Sequence, residues 1–383
     1  MTGRPRAHKL PRVTGSPTRR IEPSARPTIG IVGAGAMGAG IAQVALEAGS
    51  EVVLYDVDEL AIERARDVIR RGLERQALRL DLDADTTEAW ATGRLERLRA
   101  AHTLTDIADE AELIIEAALE DLGLKHEIFR ALDAGAPDPA ILASNTSSLS
   151  IETIASVTDD PSRVLGLHFF NPVPRMALVE VIPGPLTSPE VVARAEEVVR
   201  TWGKTPIRSA DTPGFIVNRV NRPFTIQALR MLEADEASVE AIDQAMRDAE
   251  FPMGPFELMD LAGLDINLAA ARSVWEGLGR PDHLRPSEIQ ERLVAEGRLG
   301  RKSGGGFYDY ADGRRGRVAA EFRQAPESTM TAAEIEADIL AGIDFEARSA
   351  LADGVATEAD IDLALRLGAG HPLGPFERKA ANG

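Results

Sequence analysis

Thr28-Ile29-Gly30-Ile31-Val32-Gly33-Ala34-Gly35-Ala36-Met37-Gly38 decides how the chain is read. A short apolar run enters Gly33-x-Gly35-x-x-Gly38, and a helical stretch follows. Between a strand and a helix, the first glycine makes the tight turn and the second lets a pyrophosphate approach the backbone. The third lets the helix pack closely on the strand, with the helix N-terminus facing the anion. A second apolar strand, Glu51-Val52-Val53-Leu54-Tyr55-Asp56, ends in an acid about 20 residues beyond the glycines. A carboxylate there accepts hydrogen bonds from an adenosine ribose and repels a 2′-phosphate, so the pattern favours NAD over NADP. The alternative is an ordinary glycine turn in a βαβ unit. The cofactor contacts expected from this loop and strand are Gly33, Gly35, Ala36, Met37, Gly38 and Asp56.

Outward from this unit, Ala61 to Leu80 has helical period, and a second helical stretch covers roughly Thr86 to Arg99. Together they read as a helical hairpin projecting from the sheet. Strands are expected at Leu113–Ala117, Ala140–Ala143, Arg163–Leu167, Leu178–Ile182 and Pro206–Arg208, with helices around Lys125–Leu132 and Ile151–Val157. Such alternation implies a mostly parallel, Rossmann-type α/β sheet covered on both faces. At Asp211-Thr212-Pro213-Gly214 the pattern changes to successive helices, so the NAD-binding domain is set at 28–209 and an all-α domain at 210–310. Residues 311–332 read as a linker.

Residues 333–383 repeat part of the helical domain. Ile361-Asp362, Ala364-Leu365-Arg366 and Pro372-Leu373-Gly374-Pro375-Phe376-Glu377 answer Ile242-Asp243, Ala245-Met246-Arg247 and Pro252-Met253-Gly254-Pro255-Phe256-Glu257. The second copy stops soon afterwards, so it is a half-copy.

The composition narrows the class. With 383 residues, 44% hydrophobic and 27% charged, the chain suits a globular protein of two or three domains. No run approaches the ~18 apolar residues of a membrane span. A net charge of −18 argues against general nucleic-acid binding. Cysteine is absent, which excludes disulfides and thiolate chemistry and suits a reducing cytoplasm. Residues 1–27 are basic and rich in proline. They read as a disordered tail, since a transit peptide needs an amphipathic helix that the prolines interrupt.

Two segments fall at the carboxyl ends of strands, where open α/β sheets bind ligands. They are Ser144-Asn145-Thr146-Ser147-Ser148-Leu149 and Gly166-Leu167-His168-Phe169-Phe170-Asn171-Pro172-Val173-Pro174, the latter followed by Glu180. Oxidising an alcohol requires a base near neutral pKa, which histidine supplies. His168 and Glu180 form a base–carboxylate pair if the chain reverses at Asn171–Pro174. Otherwise His168 is a core histidine bonded to backbone. On the projecting helix, Arg71, Arg75 and Arg79 recur every four residues and share a face. They suit the phosphates of coenzyme A, or they are a solvated helix face.

Residues 28–310 resemble the L-3-hydroxyacyl-CoA dehydrogenase family. The resemblance rests on the glycine loop, Ser144–Leu149, Gly166–Pro174, Asp211-Thr-Pro-Gly-Phe-Ile-Val-Asn-Arg219, Pro252–Leu258 and Gly300–Tyr308. It implies that His168 is the catalytic base, Glu180 its partner, Ser147 a hydroxyl on the substrate's C3 oxygen, and Asn218 a substrate-orienting amide. Ala117, Glu120, Lys125, Ser147 and Asn171 are implied to line the NAD site. Read alone, Glu120 and Lys125 are a solvated helix-terminal pair. The family's helix contacts CoA through a serine and a lysine, whose places are taken here by Gly72 and Arg79. The expected function is therefore NAD-dependent oxidation of a 3-hydroxyacyl-CoA, with no metal. The rivals are a dehydrogenase of free hydroxy acids and an idle, crystallin-like NAD-binding protein. Single-copy members are implied to pair through their helical domains and two-copy members to pack the copies together, so either a monomer or a homodimer is expected. The half-copy is expected to dock on its own helical domain, burying Ile339, Leu340, Ile343, Phe345 and Leu351.

Overall fold

The computed structural model describes residues 26–323 and 329–382; residues 1–25 of the expected basic tail lie outside them. The first half alternates strand and helix: β1 (Ile29–Val32), α1 (Ala36–Glu47), β2 (Val52–Tyr55), α2 (Glu59–Arg79), α3 (Ala84–Leu95), β3 (Leu98–Ala100), α4 (Leu104–Ala108), β4 (Leu113–Glu116), α5 (Leu122–Gly135), β5 (Ile141–Ser144), α6 (Ile151–Ala155), β6 (Val164–Phe169), β7 (Leu178–Pro183), α7 (Pro189–Thr201) and β8 (Thr205–Arg208). The sheet order is β3-β2-β1-β4-β5-β6-β7-β8. Every neighbouring pair is parallel except β6 and β7. Ile41, Ile69, Leu73, Ala91 and Val199 cover one face, and Ile107, Phe129, Leu132 and Ile154 the other. Burial on both faces explains why strands such as Ile29–Val32 and Leu113–Ile115 are continuously apolar. Strand order reverses between β1 and β4, which opens a crevice at their carboxyl ends.

The segment Leu98–Ala100, taken as the end of a helix, is a strand paired with β2; the second arm of the hairpin stops at Leu95. Helix α7, between β7 and β8, was not foreseen at all.

The second half is helical: α8 (Val217–Val220), α9 (Arg222–Glu233), α10 (Val239–Asp248), α11 (Pro255–Ala262), α12 (Leu264–Gly277) and α13 (Glu288–Ala295). Residues read as the start of a linker instead form the hairpin β9 (Tyr308–Ala311) and β10 (Arg314–Val318). Val318 and Phe322 join the helical core, and this burial gives the polar segment its order.

The half-copy is α14 (Ala332–Ala352), α15 (Glu358–Ala369) and α16 (Pro375–Asn382). Its identity with the first copy extends to individual hydrogen bonds. Asp243 Oδ1 accepts from Phe256 N at 2.9 Å and Oδ2 from Glu257 N at 3.2 Å; Asp362 accepts from Phe376 N at 2.9 Å and Glu377 N at 3.1 Å. Gly254 N and Gly374 N each donate to the glutamate three residues on at 2.9 Å. Glycine is required at both positions, because a Cβ would lie 2.2 Å from an oxygen of the buried aspartate. The half-copy shares one hydrophobic core with α8–α11. Ile339 and Ile343 are fully buried, and Leu340 and Leu351 are partly buried. Phe345 departs from expectation: it is 53% exposed and meets the His283 ring edge-on at 5.0 Å. Among the described residues, no helix is long and apolar enough to cross a membrane.

Candidate active site

Because β6 and β7 are antiparallel, His168 lies directly opposite Glu180. His168 Nδ1–H donates to Glu180 Oε2 at 2.6 Å, so in the neutral ring Nε2 is the nitrogen that carries the lone pair. Glu180 is fully buried, and its second oxygen accepts from the backbone N–H of Ile216 (3.1 Å) and Val217 (2.9 Å) at the start of α8. Three donors on one carboxylate stabilise its charge in the absence of water. The rings of Phe170 and Phe215 flank the imidazole at 4.6 and 5.7 Å. Asn218, one residue beyond Val217, is partly exposed and its side-chain amide has no hydrogen-bond partner among the described residues.

The Ser144–Leu149 segment is tied to the same place. Asn145 Oδ1 accepts from Phe169 N at 2.8 Å, next to His168. Glu120 gathers the loop: its Oε1 accepts from Thr146 Oγ1 (2.6 Å), Ser147 N (2.9 Å), Ser148 N (3.1 Å) and Ser148 Oγ (2.9 Å), with Ser147 Oγ at 3.4 Å. Lys125 Nζ stands 3.3 Å from the other Glu120 oxygen. Burial raises the Glu120 carboxyl, but the Lys125 charge and these donors outweigh it and hold the group below the usual carboxylate range. Lys125 is itself 1% exposed and is paired with Glu116 at 2.7 and 2.8 Å. The pair is therefore not a solvated helix terminus. Glu116 also accepts from Ser144 Oγ and Ala118 N. It was missed in the sequence, although a carboxylate closing the apolar run Leu113-Ile114-Ile115 was the available signal.

The glycine loop fits a dinucleotide. Gly33 has φ +107°, and a Cβ on it would meet Ala117 O at 2.5 Å; one on Gly38 would meet Gly33 O at 1.8 Å. Gly35 faces open space, and α1 begins there with no side-chain cap, so its first N–H groups remain for an anion. Asp56 directly follows β2, and its Oδ2 accepts from Ala34 N at 2.7 Å. The Asp56→Ala variant should lose NAD affinity and reject NADP less, since both the loop tether and the repelling charge go. Dissociation constants for the two cofactors check this; an unchanged preference would show that another residue reads the ribose.

A cleft of about 690 Å³ joins Gly35 and Ala36 to Asn171–Arg175 and to the face of α2 bearing Arg64, Val68, Gly72, Arg75 and Arg79. Met37 packs into the core behind the loop, and Arg71 does not line the cleft. On α2, Arg64 pairs with Asp58, and Arg70, outside the cleft, with Asp67 and Glu74. Arg75 and Arg79 have no carboxylate within ion-pair distance among the described residues. A larger hollow, about 990 Å³, lies on the helical domain around Arg272, Trp275 and Arg285 and contains none of these residues.

Residues 28–212 match the family described as 3-hydroxyacyl-CoA dehydrogenase, NAD binding domain. Residues 214–310, and again 337–379, match 3-hydroxyacyl-CoA dehydrogenase, C-terminal domain. The chain belongs to the 3-hydroxyacyl-CoA dehydrogenase family. Its members are NAD-dependent oxidoreductases, and the split second match falls on the half-copy. A 3-hydroxyadipyl-CoA dehydrogenase of Escherichia coli is 46% identical over 295 residues, covering 77% of this chain but only 61% of the relative's length. A 3-hydroxybutyryl-CoA dehydrogenase of Mycobacterium tuberculosis is 43% identical over 74% of this chain and 98% of its own. The crystal structure of a 3-hydroxybutyryl-CoA dehydrogenase from Escherichia coli superposes with a TM-score of 0.83 at 37% identity, covering 93% of this chain and 91% of that one.

Proposed function

We propose that this dehydrogenase oxidises (S)-3-hydroxyacyl-CoA to 3-oxoacyl-CoA in fatty-acid or related acyl-CoA metabolism, with His168 and Glu180 as its general-base dyad. The buried His168–Glu180 hydrogen bond, beside an open Asn218 and the Ser147 loop, carries this reading. Ser147 and Asn218 hold the substrate's oxygens, and His168 Nε2 takes the C3 hydroxyl proton. Glu180 stabilises the resulting imidazolium in place, as a carboxylate does for any imidazole base in a dry site. NAD, held by the glycine loop and Asp56, supplies the hydride acceptor. Lys125, held in place by Glu116, keeps Glu120 ionised, and Glu120 keeps the Ser147 loop fixed.

CoA recognition is assigned to Arg75 and Arg79, whose charges face the cleft without carboxylate partners. Arginine suits phosphate through its fork of donors. Reversing both to Glu should raise the KM for acyl-CoA and leave NAD affinity unchanged, and the parent's acyl-CoA affinity should weaken with added salt. Equal losses with a CoA-free thioester would contradict the assignment. The reaction itself is tested by steady-state turnover of acetoacetyl-CoA with NADH.

A further inference from the structure

Arg219 closes the motif Asp211–Arg219, is 2% exposed, and draws all its carboxylate partners from the half-copy. Its Nε donates to Glu346 Oε1 at 2.7 Å, and one terminal nitrogen donates to Asp353 Oδ2 at 2.6 Å and Ser349 Oγ at 3.2 Å. The other Glu346 oxygen meets His283 Nε2 at 2.7 Å.

The repeat shows what kind of contact this is. With Ile242 matched to Ile361, Arg219 corresponds to Asp338, Gln227 to Glu346, and Pro223 to Gly342. Arg219–Glu346 and Asp338–Gln227 (3.2 Å) are therefore the same contact made twice across a pseudo-twofold axis. Pro223 packs on its own counterpart, Gly342, at that axis. The two halves of the pair have become different. The buried half is an arginine with a glutamate; the exposed half is an aspartate with a glutamine. A second chain pairing through its first copy would present Gln227 to Arg219 and leave the guanidinium buried without a carboxylate, which is strongly unfavourable. The charge partner of Arg219 has to be the half-copy.

Arg219 belongs to the four-residue helix α8, too short to hold its own conformation. The N–H groups of Ile216 and Val217, at its entrance, are those that bind Glu180. The half-copy touches this segment at further points: Ala210 N donates to Val355 O at 2.8 Å, and Gly368 packs against Val217 and Leu178 so closely that a Cβ would lie 2.7 Å from Leu178. We propose that Glu346, supported by Asp353, is a positioning residue for the catalytic base. By holding Arg219 it aims the Ile216 and Val217 N–H groups at Glu180, which in turn orients His168. This rests on the dyad reading above.

The test compares full-length Glu346→Ala with Asp338→Ala, the pseudo-equivalent contact on the same helix but away from Glu180. Glu346→Ala should lower kcat for acetoacetyl-CoA and NADH about tenfold or more, as misplaced catalytic groups do. The KM for NADH should stay within about twofold. Glu346→Gln, which keeps an accepting oxygen for Arg219, should recover part of the loss. Asp338→Ala should turn over like the parent. Parental kcat in a folded Glu346→Ala protein, or equal losses in both alanine variants, would overturn the proposal. Should Glu346→Ala not fold, Glu346→Gln decides: lower kcat at unchanged KM supports it, and parental kcat overturns it. A parent with no acyl-CoA turnover, or a His168→Gln variant that keeps it, would overturn the dyad reading instead.

Discussion

Replacing His168 with Gln is expected to lower kcat about a hundredfold or more, the usual loss when a general base is removed. The change leaves a side chain of similar polarity in the 6%-exposed slot between Phe170 and Phe215, so folding should persist. It leaves nothing that can take the hydroxyl proton near neutral pH. A hundredfold corresponds to about 2.7 kcal/mol of lost transition-state stabilisation. NAD affinity, assigned above to the glycine loop and Asp56, should change little by titration. Near-parental turnover would remove His168 from the chemistry.

Glu180→Gln is expected to cost a comparable amount by a different route. All three neighbours of the Glu180 carboxylate donate: His168 Nδ1–H, Ile216 N–H and Val217 N–H. An amide has one accepting oxygen and one donating nitrogen, so at least one of those donors faces another donor. A buried donor left without a partner costs about 1–3 kcal/mol. The imidazolium formed in the reaction also loses its counter-charge, so proton uptake becomes harder. Turnover should fall sharply, and the acidic limb of the pH–rate profile should move to lower pH. A profile that stays where the parent's lies, with turnover retained, would make Glu180 a structural residue only.

The NAD-binding half is legible in the sequence because each of its signals is local. Gly33, Gly35 and Gly38 answer to backbone geometry within one turn, and Asp56 closes an adjacent apolar strand. The pairing of His168 with Glu180 is only half legible: the sequence offers a reversal at Asn171–Pro174, the resemblance names the pair, and the register that sets the two opposite each other comes from the folded strands. Leu98–Ala100 misleads because three residues carry no period of their own; their strand state comes from β2. The hairpin at 308–318 is hidden for the same reason: its order comes from Val318 and Phe322 entering a distant core. Lys125 reads as a solvated helix residue until Glu116 and Glu120 close over it from two other segments. The Arg219–Glu346 pair joins residues from opposite ends of the helical region, so only the folded repeat reveals it. Phe345 shows the converse: an apolar residue on a mostly buried helix can still be left at the surface.

The most direct test of the account is to measure, for the parent protein, turnover of acetoacetyl-CoA with NADH beside turnover of free acetoacetate with NADH. Rapid NADH oxidation is expected with the CoA thioester, inhibited by free CoA, and little with the free acid, because the phosphate contacts proposed for Arg75 and Arg79 are open only to the thioester. Faster turnover of the free acid, or no turnover of either in a folded, NAD-binding protein, would contradict it.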